Sequence, residues 1–248
     1  MTTESAPLTV TQALVLVLFA AVGLLFVGGV FAAYGPIGIT ATEVALIGLP
    51  VVFAASRRGG LSGIGLVRPR LRHVVGGVLV GASGWAVLAT LVLPIQERLF
   101  PTPDVVEQAL RDAVGPGAAA LVAISVVPAV CEELLLRGAL AFALDRRFGR
   151  VVAVGVSALA FALLHGSPYR FVPTLVLGVS FGAIALRAGS LVPTMVAHAL
   201  NNGAIWLLAT LPALARPLDT HVVLVGAVAA AVAVTGHILV FLRFPGTP

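Results

Sequence analysis

Three short groups of residues hold the chemistry this sequence can offer. Glu132 and Glu133 stand side by side, with Arg137 four positions on, inside the otherwise apolar run 128–138. His165 follows Phe161 by four residues, and His198 is followed by Asn201 and Asn202. A helical residue turns the chain by about 100°, so Glu133 and Arg137 share a face while Glu132 points about a quarter turn away. The two acids therefore have different work to do. Arg137 holds Glu133 ionised and their pair orients the helix, whereas Glu132 is left to face a cavity as a general base. His198 and Asn202, also four apart, point the same way, with Asn201 close by. This set suits attack of water on a carbonyl: Glu132 takes a proton from water, a histidine assists or protonates the leaving amine, and His198 with Asn202 donates to the developing oxyanion. Glu132, His165 and His198 are also the ligand set of a catalytic zinc, so a metal-activated water is a variant the residues leave open.

The elements that position these residues are membrane helices. With 59% apolar and 10% charged residues among 248, and a mean hydropathy of +1.10, the chain is a polytopic membrane protein and not a soluble domain. At about 20 residues per crossing, spans fall at 11–33, 41–56, 74–95, 117–144, 151–167, 171–187, 190–211 and 221–242. The expected fold class is all-α, a polytopic membrane bundle of about eight transmembrane helices. Residues 1–248 form a single membrane domain, and 117–205 form its motif-bearing core. Tyr34 to Gly38 reads as a turn, and Pro128 removes the hydrogen bond to the Ile124 carbonyl just ahead of the acids. Gly77 with Gly81, and Gly178 with Gly182, have the spacing that lets helices approach closely. The polar stretch Leu99 to Gly117, with Asp104, Glu107, Arg111 and Asp112, suggests a short surface helix, and Glu43 suggests the outer interface. Glu4 precedes the first span without a basic residue, so that span reads as an anchor and not a cleaved signal.

The net charge of +5 comes from arginines alone. Alternating spans put Arg57, Arg58, Arg68, Arg70, Arg72, Arg146, Arg147, Arg150, Arg187 and Arg243 on one face, and Arg98, Arg111, Arg170 and Arg216 on the other. That asymmetry is a topology signal, which places both termini in the cytoplasm of a bacterial-type plasma membrane and removes the case for a nucleic-acid partner. Cys131 is the single cysteine, which excludes an internal disulfide, and its place in the run suits a small buried hydrophobe. His237 reads as a packing residue.

Depth ties the three groups together. At about 1.5 Å per residue, Glu133 lies roughly 20 Å from Arg146, His165 roughly 22 Å from Arg150, and His198 roughly 16 Å from Arg187. All three can meet inside the bilayer, where polar side chains without partners are costly. A non-catalytic membrane immunity or assembly-partner protein would use the same cluster for binding.

Taken as a set, Glu132-Glu133 with Arg137, Phe161 with His165, and His198 with Asn202 resemble the CPBP family of intramembrane proteases. That family groups type II CAAX prenyl endopeptidases with bacteriocin-processing and abortive-infection-type proteins. Gly178, Arg187 to Ser190 and Pro193 are similar to the family's context. The resemblance implies an eight-helix-like bundle hydrolysing a peptide bond within or beside the membrane, with a peptide or protein substrate that can be lipidated. By the same resemblance Glu132 activates water, Glu133 and Arg137 support it, His165 serves water activation or proton transfer, and His198 with Asn202 stabilises the oxyanion. The family is called metalloprotease, while a glutamate-dependent mechanism without zinc has also been proposed for it.

Overall fold

The computed structural model describes residues 6–106, 108, 115–215 and 220–242. Glu4, Glu107, Arg111, Asp112, Arg216 and Arg243 lie outside the described residues. Within them every regular element is helical. Eight rods follow one another: α1 (Val10–Phe31), α2 (Gly35–Ser56), α3 (Leu71–Leu99), α4 (Ala118–Phe148), α5 (Arg150–Leu164), α6 (Phe171–Ala188), α7 (Val192–Thr210) and α8 (Val222–Phe241).

Among the described residues, six spans are long and apolar enough to cross a membrane, and α5 and α7 are not among them. At about 1.5 Å per residue, the 15 residues of α5 extend about 22 Å, short of a hydrocarbon core of about 30 Å. α7 is long enough at 19 residues, but His198, Asn201 and Asn202 interrupt its apolar character. The many exposed leucines, valines and phenylalanines of α1, including Leu18, Leu25 and Phe26, are what a lipid-facing helix presents.

Helix limits depart from the sequence-based spans for local reasons. α2 starts at Gly35 and not at residue 41, because Gly35 takes φ +63° and Pro36 fits the first turn, where its missing N–H costs nothing. Glu43 consequently sits inside α2, half-buried, and not at the outer interface. α5 stops at Leu164 with Gly166 at φ +61°. α1 begins at a reciprocal cap, with Gln12 N donating to Thr9 Oγ1 at 3.3 Å and Thr9 N donating to Gln12 Oε1 at 3.1 Å.

Three transmembrane prolines share one device. Pro50, Pro94 and Pro128 each lie just after a wider π-helical turn, Val44–Gly48, Leu88–Val92 and Val122–Val126 respectively. Proline cannot donate to the carbonyl four residues back and its ring crowds that carbonyl, so one wide turn absorbs the mismatch without breaking the helix. A longer π-helical stretch, Leu134–Ala141, follows the two glutamates and contains Arg137.

α3 packs most extensively against α8 and α7. Its glycines make that possible. A Cβ on Gly77 would run into the carbonyl of Pro193, one on Gly81 into the backbone of Ala197, and one on Gly84 would come within 3.1 Å of Asn201 Oδ1. At the other pair, a Cβ on Gly178 would stand 2.8 Å from Ala158 Cα, which sets the close approach of α6 to α5. The arginine-rich loop after α2 is pinned at its apolar end: Ile64 is 1% exposed, its carbonyl lies 3.1 Å from where a Gly138 Cβ would sit, and Leu191 N donates to Gly65 O at 2.9 Å. At the far end of α3, buried Gln96 holds the α5–α6 turn from both sides, donating to Pro168 O and accepting from Val172 N, each at 3.0 Å.

Candidate active site

The carboxylate of Glu133 organises the site. Glu133 and Arg137 are fully buried, and Arg137 Nη1 donates to Glu133 Oε1 at 2.7 Å. This is the same-face pair read from their spacing. A lone buried guanidinium is very costly, and here it is matched on several sides. Arg137 Nη2 donates to Gly178 O at 3.3 Å, and the guanidinium lies 4.5 Å from the centre of the Phe161 ring and 5.6 Å from that of Phe181. Gly178 thus has two roles: it lets α6 approach α5, and its carbonyl completes the arginine's cage.

His198 stands between the two acids. Its Nδ1 is 3.2 Å from Glu133 Oε1, and its Nε2 is 3.8 Å from Glu132 Oε2. An ionised carboxylate only accepts, so Nδ1 carries the hydrogen toward Glu133. Phe161 and Phe181 fix the ring, at centroid distances of 5.6 and 5.4 Å. Glu132 Oε2 is buried and has no hydrogen-bond partner among the described residues, although its side chain retains 17% exposure. The two acids thus differ in their surroundings: Glu133 is paired with Arg137, and Glu132 is not.

His165 caps α5, its Nδ1 donating to Phe161 O at 2.9 Å, which leaves Nε2 as an acceptor. Its ring meets Phe161 edge-on at 4.8 Å. Both imidazoles thus touch one phenyl ring. Asn202 Nδ2 donates to Ile124 O at 3.3 Å, and Asn202 Oδ1 accepts from Asn201 Nδ2 at 3.3 Å. Asn201 is fully buried, and its Oδ1 has no hydrogen-bond partner among the described residues.

Among the described residues, no three His, Cys, Asp or Glu side chains form a group that could hold a metal ion. His198 turns Nδ1 to Glu133 and keeps Nε2 on the Glu132 side, an arrangement that a zinc-binding histidine also uses.

Two charged residues near the site belong to none of the three motifs. Glu43 of α2 and Arg170 at the foot of α6 both act on Glu132 through their charges. Alternating spans put Arg170 at the outer surface, apart from the motif residues. Glu43 falls at the interface only if α2 starts with its apolar run, whereas the helix begins six residues earlier. Outside the site, Cys131 is a buried core residue, and His237 bridges α8 to α6 through Ser180 Oγ at 2.9 Å.

Every motif residue lies on α4 to α7 or in the turns between them. No curated protein and no solved structure matches the chain. Residues 115–204, a stretch that spans all three motifs, match the family described as Type II CAAX prenyl endopeptidase Rce1-like.

Proposed function

We propose that the protein is an intramembrane endopeptidase in which Glu132 activates water. The observation that carries this reading is His198 poised between Glu133 and Glu132, oriented by the first and open toward the second. A water held by Glu132 and by the bare Nε2 of His198 or His165 loses a proton to Glu132 as its oxygen attacks the peptide carbonyl carbon. The carbonyl electron pair moves onto oxygen, where an N–H of Asn202 stabilises it. When the intermediate collapses, the C–N bond breaks and the amine leaves with the proton that Glu132 accepted, relayed by a histidine. Glu133 and Arg137 touch no reacting atom and hold His198 in its tautomer.

The substrate this reading favours is a peptide carrying an apolar group, in keeping with the CAAX prenyl description of the matched family. A cavity of about 370 Å³ lined by Phe100, Leu163, Pro168 and Phe171 adjoins the turn just past His165 and suits an apolar side chain or lipid. The arginine asymmetry favours both termini in the cytoplasm of a bacterial-type plasma membrane.

The test is cleavage of a peptide library, prenylated and unmodified, by protein reconstituted in liposomes. Wild type should cleave and Glu132→Gln should not, with equal thermal stability. Activity that survives a strong zinc chelator fits the metal-free reading, and activity restored only by added zinc contradicts it. A Glu132→Gln variant that cleaves at the wild-type rate would sink the proposal. If that variant instead keeps a cellular effect without any cleavage by wild type, the cluster serves binding, as in an immunity or assembly-partner protein.

A further inference from the structure

Asn201 and Asn202 are neighbours in α7 that face different helices. Asn201 is fully buried and faces α3, where a Cβ on Gly84 would stand 3.1 Å from its Oδ1. Asn202, half-buried, faces α4, where its Nδ2 donates to Ile124 O at 3.3 Å. The two amides are joined, with Asn201 Nδ2 donating to Asn202 Oδ1 at 3.3 Å. A backbone carbonyl only accepts, so the nitrogen of Asn202 is the atom that turns to Ile124. Its oxygen then turns to Asn201, which must present its own nitrogen. The chain of bonds from α3 to α4 thus has one consistent sense, and it leaves Asn201 Oδ1 buried without a hydrogen-bond partner among the described residues.

An amide buried between membrane helices with its oxygen unmatched is costly, and an apolar side chain would fill the seat against Gly84 without that cost. What the amide supplies and an apolar side chain cannot is a donor for Asn202. That bond has two effects on the N–H of Asn202 not held by Ile124. The terminal torsion of an asparagine has two broad wells about a half-turn apart, and the wrong one would point an acceptor oxygen at a developing negative charge. Asn201 resists that turn at the oxygen of Asn202, as Ile124 does at its nitrogen. A hydrogen bond accepted at Oδ1 also polarises the amide, which strengthens its N–H as a donor. We propose that Asn201 is a positioning residue for the hydrolysis proposed above, holding the Asn202 amide with its nitrogen toward the oxyanion. The assignment rests on that reading of Asn202.

The experiment compares Asn201→Leu, Asn201→Ala, Asn202→Ala and the double variants in liposomes, recording kcat, KM and Tm with a peptide that wild type cleaves. Leu removes the donor and the unmatched oxygen together, and Ala does so without crowding Gly84. Asn202→Ala should lower kcat by about 100-fold or more, the scale of one oxyanion donor. Each Asn201 variant should lower kcat by roughly 10-fold, with KM within about threefold, because the loss falls on the transition state alone. In the Asn202→Ala background the same Asn201 changes should cost kcat less than about twofold, since there is no amide left to hold. A residue that merely packs α7 would cost the same in both backgrounds. Asn201 variants with wild-type kcat, an effect confined to KM, equal losses in both backgrounds, or failure of both the Leu and the Ala variant to fold overturns the assignment while Asn202→Ala and Glu132→Gln remain impaired. Wild-type kcat in Asn202→Ala or in Glu132→Gln instead removes the catalytic reading on which it rests.

Discussion

Asn202 of α7 donates to the carbonyl of Ile124 in α4 at 3.3 Å, and Ile124 is the residue whose i+4 donor Pro128 lacks. A proline in one helix thus creates the acceptor that fixes an asparagine on another. Pro128→Ala should restore the local bond, release Asn202 and lower kcat, while Tm holds or rises because a helix interior favours alanine over proline. Pro128→Ala combined with Asn202→Ala should cost kcat no more than Asn202→Ala alone, since both remove the same contact. Strict additivity of the two would show that the contact is incidental.

Breaking the Glu133–Arg137 pair from one side leaves an uncompensated buried charge. Arg137→Met alone should lower stability by about 3–5 kcal/mol, whereas Glu133→Gln with Arg137→Met should fold better than Arg137→Met. Chemical denaturation in detergent measures both. Arg137→Lys should also fail, because a compact ammonium cannot bond Glu133 and Gly178 together while stacking between Phe161 and Phe181.

His198 depends on Glu133 for its tautomer. Glu133→Gln should therefore reduce kcat by at least about 100-fold, the lower range for loss of acid–base function, even in a background where Arg137→Met has relieved the lone charge. Heteronuclear NMR of labelled histidine would show His198 shifting between tautomers in the variant and fixed with its hydrogen on Nδ1 in wild type.

The seat of α7 on α3 is set by Gly77 and Gly81. Gly81→Val puts side-chain atoms into the backbone of Ala197, next to His198. Both Tm and activity should fall, with activity falling further, because a displacement of about 1 Å at a catalytic group can cost about 100-fold. Gly155→Val, where a Cβ meets nothing within 4 Å, is the matched control and should retain both.

Much of this site is legible from spacing. An i, i+4 interval is nearly a full helical turn, so the order of residues alone pairs Glu133 with Arg137 and sets Glu132 apart. Depth counting brings His198 to the glutamates because both α4 and α7 are long enough to carry their polar residues to mid-membrane. Glu43 and Arg170 escape it for one shared reason. Depth counting takes helix ends as surface, yet α2 begins before its apolar run and α5, at 15 residues, is the shortest of the eight helices. The cage around Arg137 is hidden too, since a carbonyl such as that of Gly178 has no side chain to betray it. The role of Asn202 is half visible: the acceptor freed by Pro128 can be named, but what claims it depends on how α7 leans on α4.

The polarity of α7 reaches into how the protein is made. His198, Asn201 and Asn202 keep this helix out of the six that are apolar enough to cross alone, and a segment of that kind partitions poorly from the insertion machinery into lipid as a single rod. It must enter with company. The glycine groove of α3 offers the polar side chains a dry seat, and α8, which follows and packs on the same helix, can draw α7 in as one arm of a hairpin. The residues that make α7 useful as a site thus make its biogenesis cooperative: truncation before α8 should leave α7 stranded at the surface, with His198 reachable by water and the site never assembled.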